Sequence, residues 1–125
     1  MVTHGCADVL LHQLSLKVKS WCIEDHNWEI ELEDRAVQFV FTPYTDFPGA
    51  FATFDPRSAT LMSSDIFGWF TWSFEVYAKD EAYFDKIRPF HEHYMPSRDA
   101  VMHVPQKFER LPIRQIAQQR GSIVP

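Results

Sequence analysis

The sequence predicts an α/β protein, a mixed β-sheet with flanking helices, and three observations predict it. Between Asn27 and Ser63 short strand-like runs fall into two pairs, each joined by turn-forming residues. Beyond Asp80 two stretches repeat apolar residues at helical spacing. A last short run, Ile113 to Ala117, returns to strand character. Hairpins followed by helices and a further strand belong to the α/β layer architectures.

Taken in order, Ala7, Leu10, Leu11 and Leu14 lie at helical spacing and predict a short amphipathic packing helix over Ala7–Lys17. Asn27 to Leu32 alternates Trp28, Ile30 and Leu32 against Glu29 and Glu31, the pattern of a half-buried strand. Glu33-Asp34-Arg35 turns the chain into a second strand, Ala36 to Thr42, with Val37, Phe39 and Phe41 on one face. Pro43 to Gly49 cannot be a central strand, because its two prolines lack ladder donors, so it is a loop at a strand's end. Ala50–Phe54 and Thr60–Ser63 form a second hairpin around Asp55-Pro56-Arg57-Ser58, which is strong turn chemistry. Gly68 to Val76 is dense in aromatics, with Trp69, Phe70, Trp72 and Phe74. A helix starts at Asp80 and carries Tyr83, Phe84, Ile87, Phe90, His91 and Tyr94, with Pro89 expected to bend it. Ser97 caps another helix through Val101, Met102 and Phe108, which meets Pro105.

Composition narrows the function classes. The chain has 125 residues, 46% hydrophobic and 15% aromatic, enough for one domain with a core. No apolar run reaches a membrane span, and the N-terminus lacks the basic-then-apolar order of a signal peptide, so no membrane role and a cytoplasmic location are expected. A net charge of -5 without a Lys/Arg stripe argues against nucleic acid. Cys6 and Cys22 do not make a disulfide framework or zinc knuckle. Four glycines leave little from which to build a phosphate loop, and Ser63 and Ser64 lack a nucleophile frame, so no catalytic residue and no nucleotide or flavin cofactor is expected.

The stretch Thr42-Pro43-Tyr44-Thr45-Asp46-Phe47-Pro48-Gly49-Ala50-Phe51, leading into Leu61-Met62-Ser63-Ser64-Asp65-Ile66-Phe67-Gly68, resembles the second half of the metallo-β-lactamase-fold domain of flavodiiron proteins and related oxygen-binding di-iron proteins. In that family a His precedes the aromatic-Pro pair, and an Asp in the turn before F-G bridges two irons. The resemblance places Asp65 at the bridging carboxylate and Asp46 where the His stands. A later family turn, A-P-x-H-G, is similar to Ala117-Gln118-Gln119-Arg120-Gly121, with Arg120 in place of the last His ligand. Asp46 and Asp65 are thus residual metal ligands at most, and guanidinium has no free lone pair to bind metal. Arg120 is expected to form an ion pair with Asp65 or Asp46, the alternative being a weak or partial site. No cofactor is expected, and iron only if the site remains competent.

Two further histidine patterns are weighed against ligation. His4, Cys6 and Asp8 mimic the family's upstream motif but lie too close to Asp46, in a segment that opens a helix. His91 and His93 would point about 200° apart on a helix, so His91 is read as a partner for a carboxylate or carbonyl, and Glu92 and His93 as surface.

A metallo-β-lactamase fold is two αβ halves, αββα, with metals at the seam. Residues 1–125 are read as a single truncated domain, about one such half. The resulting expectation is a non-catalytic interaction or sensor-derived module. The alternative is a di-iron oxygen-binding oxidoreductase or hydrolase whose missing ligands come from a partner. A homodimer or a second half-domain would cover the open side, with Trp69, Phe70 and Trp72 at its centre; otherwise the aromatics fold back as a lid over their own core.

Overall fold

Alternation in the first half of the chain does build two hairpins. The computed structural model describes residues 1–70 and 75–125. A five-stranded sheet has the order β3 (Glu29–Leu32), β4 (Arg35–Phe41), β5 (Phe51–Asp55), β6 (Thr60–Ser64) and β7 (Gln115–Gln118). Its first three pairings are antiparallel and β6–β7 is parallel, which makes the sheet mixed as expected. The parallel partner arrives through α2 (Tyr83–Tyr94) and α3 (Arg98–Phe108), because parallel neighbours need a crossover. A second, two-stranded parallel sheet pairs β1 (Val2–Thr3) with β2 (Trp21–Cys22), on either side of α1 (Gly5–Gln13).

Turn chemistry fixes the second hairpin. Asp55 accepts hydrogen bonds from Ser58 Oγ at 2.9 Å, the Arg57 N–H at 3.0 Å and Arg35 Nη1 at 2.8 Å. The Ser58 bond, with the Arg57 and Arg35 contacts behind it, holds the Asp55 carboxyl below its usual range against the opposing effect of burial. Its folded pKa is depressed, so its stabilising contribution is complete above the unfolded value of about 4 and is lost as pH falls through the lower folded value. Melting temperature should therefore fall steeply below about pH 4, and Asp55→Asn should remove part of that slope. Identical pH profiles for the two proteins would refute the assignment.

The two faces of the sheet have different covers. One face, from Ala52, Phe54, Leu61 and Ile66, packs under Val104 and Phe108 of α3. On the other face cross-strand partners form the row Phe39, Thr53, Met62, Ala117. Its β4 end is covered by the N-terminal layer: Trp21 lies over Phe39, and the His4 ring stacks on Phe41 at 4.7 Å. At its β6 end Met62 is 42% exposed among the described residues.

Four departures from the sequence reading have local causes. The strand begins at Glu29 instead of Asn27, because Asn27 and Trp28 adopt left-handed φ of 54° and 60°. The first packing helix forms, capped by His4, but buries none of its residues. Asp80 caps the turn before α2 by accepting the Ala82 N–H, and the helix itself starts at Tyr83. Trp69 packs within its own chain, edge-on to Tyr83 at 6.2 Å and under Lys86 at 4.9 Å, rather than standing free as an anchor. Phe70 is 48% exposed but lies against Phe90 at 5.2 Å, and Trp72 falls among residues 71–74, outside those described.

Candidate functional site

Strand direction sends the three singled-out charges toward one end of the sheet. β4, β6 and β7 all run the same way, so the segments that follow them leave from one end of the sheet. Those segments carry Asp46, Asp65 and Arg120 respectively.

The Asp65 turn is held from several sides. Ser63 Oγ donates to the Ile66 carbonyl at 2.6 Å, and the Gly68 N–H donates to the Asp65 carbonyl at 3.1 Å. Phe67, at φ 67°, has both its amide groups gripped by α2. Its N–H donates to His91 Nε2 at 3.1 Å, and its carbonyl accepts the Tyr83 hydroxyl at 3.2 Å. His91 Nδ1 lies 3.0 Å from the Ile87 carbonyl, which can only accept. His91 is therefore the neutral Nδ1–H tautomer with its Nε2 lone pair already used, a brace and not a free ligand. Tyr83 also receives the Gln118 amide of β7, and burial raises its phenol pKa. Neither brace was visible in the sequence, because it depends on which turn of α2 faces Phe67.

Arg120 reaches the same place from β7. Its Nε lies 3.7 Å from Asp65 Oδ1, inside ion-pair reach and beyond hydrogen-bond length. The Asp65 side chain is 18% exposed and that of Arg120 is 58% exposed. Asp65 Oδ1 is buried and accepts no hydrogen bond among the described residues. Backbone contacts fix the approach: the Trp69 N–H donates to the Arg120 carbonyl at 3.1 Å, and the Gln119 N–H to the Ser64 carbonyl at 2.8 Å.

Asp46 is exposed, at a φ of 128° that non-glycine residues seldom adopt. Its loop is tied by Thr45 Oγ1 donating to the Thr42 carbonyl at 2.7 Å and by the Ala50 N–H donating to the Phe47 carbonyl at 3.0 Å. Asp46 borders a groove shared with His4, Met62 and Ser64, and it makes no ion pair among the described residues.

The upstream candidates are committed elsewhere. His4 Nδ1 accepts the Cys6 N–H at 3.1 Å, and its Nε2 faces Glu24 Oε1 at 3.1 Å. Asp8 pairs with His12 at 3.4 Å. The Cys22 thiol is pushed up by burial and by the carboxylates Asp8, Asp25 and Glu24, which disfavours a reactive thiolate. Glu92 and His93 are exposed on α2. Among the described residues no three His, Cys, Asp or Glu side chains converge as a metal-binding group. Two carboxylates and a guanidinium do not, by themselves, fit the imidazole-and-carboxylate set that iron takes.

The family described as ODP family beta lactamase matches residues 1–121. Solved structures agree on the fold. The apo state of the chemotaxis sensor ODP from T. denticola superposes with a TM-score of 0.84 at 23% identity, over 98% of this chain and 52% of that one. A structure described as a peroxy diiron species of the chemotaxis sensor ODP gives 0.84 at 25% identity, over 98% and 53%. A mutant of the flavo di-iron protein from Thermotoga maritima gives 0.84 at 16% identity, over 98% and 31%. The chain thus spans between about a third and about half of these proteins. A search of curated proteins returned no match.

Proposed function

This chain belongs to the ODP family of β-lactamase-fold proteins, and from that premise we propose that it is a non-catalytic interaction or sensor-derived module with a degenerate di-iron site. The observation that carries this reading is Arg120 Nε at 3.7 Å from Asp65 Oδ1. A guanidinium beside the carboxylate that the family resemblance places at the bridging position would balance its charge without metal, as a partly buried carboxylate requires. Asp46 adds oxygen donors only. Residues 1–125 are, on this reading, one αβ half of an αββα domain, and its relatives contain about as much chain again or more.

Three features support pairing as the remaining role. Among the described residues the row Thr53, Met62, Ala117 is only partly covered, with Thr53 and Ala117 half-buried and Met62 exposed. Helix α1 buries no residue, with Val9 57% and Leu10 44% exposed. The β1–β2 register turns the Met1 carbonyl toward Trp21, so the amide groups of Val2 face the free edge of β1. A second half-domain or a second copy would cover these surfaces, and exposed apolar patches of this kind mark interaction sites. Among the described residues no helix is long and apolar enough to cross a membrane. Light scattering at micromolar concentration should give a dimer mass that Leu10→Lys reduces to a monomer. A monomer mass for the native chain would remove self-pairing.

A second reading rests on Asp65 Oδ1, which is buried and accepts no hydrogen bond among the described residues. In that reading iron is held with a partner's ligands, as in an oxygen-binding oxidoreductase or hydrolase. Anaerobic titration with Fe(II) separates the two. The degenerate-site reading expects no saturable binding, whereas saturable binding abolished by Asp65→Asn would establish the second.

A further inference from the structure

We propose that the cleft between α2 and α3, behind the Asp65 turn, is a binding site for a small aromatic carboxylic acid. The cleft has a volume of about 210 Å³ and is walled by Ile66, Phe67, Ile87, Val101, Val104 and Pro105. An apolar cavity on the order of 150 Å³ is known to admit benzene, so this volume suits one ring with a small substituent. Ile87 and Val104 close the floor, at 6% and 1% exposure, while Phe84 stands 56% exposed and also lines the cleft.

Charge decides the class of ligand. Among the described residues Arg88 is the one cation lining the cleft, and it is loosely engaged: its Nη2 is 4.0 Å from Asp85 Oδ1 and its side chain is 71% exposed. Such a guanidinium can take a carboxylate through two parallel hydrogen bonds. His91, the other polar residue on the wall, donates to the Ile87 carbonyl and accepts the Phe67 N–H, so it has no hydrogen-bonding group left for a ligand. The adjoining groove past His91 and Val101 carries Glu92 as well as Arg98, so the carboxylate is directed to the Arg88 end. A ring in the cleft would press on Ile66 and Phe67, and these residues follow Asp65 directly. Occupancy would therefore be felt at the Asp65–Arg120 pair without contact to either charge.

The test uses benzoate, with toluene as the uncharged comparison, followed by amide NMR of the full chain. Saturable shifts centred on Ile66, Phe67 and Val101 are expected with benzoate. Arg88→Gln should weaken benzoate roughly tenfold and leave toluene unchanged, the size of one charge-assisted contact. Val101→Trp should fill the cleft and abolish both. Because Arg88 is exposed, its variant decides the matter even if Val101→Trp fails to fold. The proposal is overturned by absence of saturable shifts with benzoate, by shifts centred away from the cleft, or by equal benzoate affinity in Arg88→Gln. None of these outcomes depends on metal or on pairing, so the proposed function is tested separately.

Discussion

Gly121→Val is expected to lower the free energy of unfolding by about 3–5 kcal/mol, from backbone strain of about 1–3 and overpacking of similar size. Gly121 has φ +128°, a conformation that side chains rarely adopt. A Cβ built there would lie 2.4 Å from Trp69 Cδ1 and 2.7 Å from the Tyr83 hydroxyl. Neither neighbour is free to yield. The Trp69 backbone N–H donates to the Arg120 carbonyl and its ring is packed between Tyr83 and Lys86, while Tyr83 braces Phe67. The added side chain would push on the segment that carries Arg120 and on both supports of the Asp65 turn. Urea unfolding measures the effect as a lower midpoint at unchanged slope. A loss below about 1 kcal/mol would show that the turn accommodates a side chain and that its packing is looser than described.

His4→Ala is expected to cost about 2–4 kcal/mol and to act on the N-terminal layer before the main sheet. His4 is 9% exposed and joins three elements. It caps α1 through the Cys6 N–H, a contribution of about 1 kcal/mol. Its Nε2 meets Glu24 and its ring stacks on Phe41, each adding about 0.5–1.5 kcal/mol. Alanine would leave Glu24 holding only the Gly5 N–H. Hydrogen exchange should show residues 1–26 losing protection while β4, β5 and β6 keep theirs, the mark of a subglobal opening. Uniform loss across both layers would mean that the N-terminal segment is cooperative with the sheet.

What the sequence revealed follows the range of the interactions involved. The second hairpin was legible because Asp55-Pro56-Arg57-Ser58 closes its own turn through Asp55. The start of α3 was legible because Ser97 Oγ accepts the Ala100 N–H three residues on. The parallel pair β1–β2 was not, since two residues joined across nineteen positions leave no periodic trace. The start of β3 was misplaced for a related reason: Trp28 alternates as a strand residue should, yet tertiary packing against His4 and Phe41 holds it in a left-handed bend. At the site, Asp65 and Arg120 could be named from local motifs. Their supports, His91 and Tyr83, depend on how α2 lies against the turn and have no local signal. An apolar surface was expected around Trp69, Phe70 and Trp72; Trp69 is instead packed among Gly121, Tyr83 and Lys86, while Phe70, Val76 and Tyr77 beside it are exposed, as are residues of α1 and Met62.

Exposure also sets the worth of the central ion pair. Arg120 is more than half exposed, so Arg120→Leu should alter stability by no more than about 1 kcal/mol. On the proposed reading, Arg120 supplies a charge beside Asp65 in place of metal. Elemental analysis of the purified chain, after anaerobic iron loading and removal of free iron, tests that claim most directly. The expected result is iron far below one atom per chain, unchanged by Asp65→Asn. About two irons per chain, lost on that substitution, would contradict it, because a di-iron centre needs donors that Asp46, Asp65 and Arg120 do not supply.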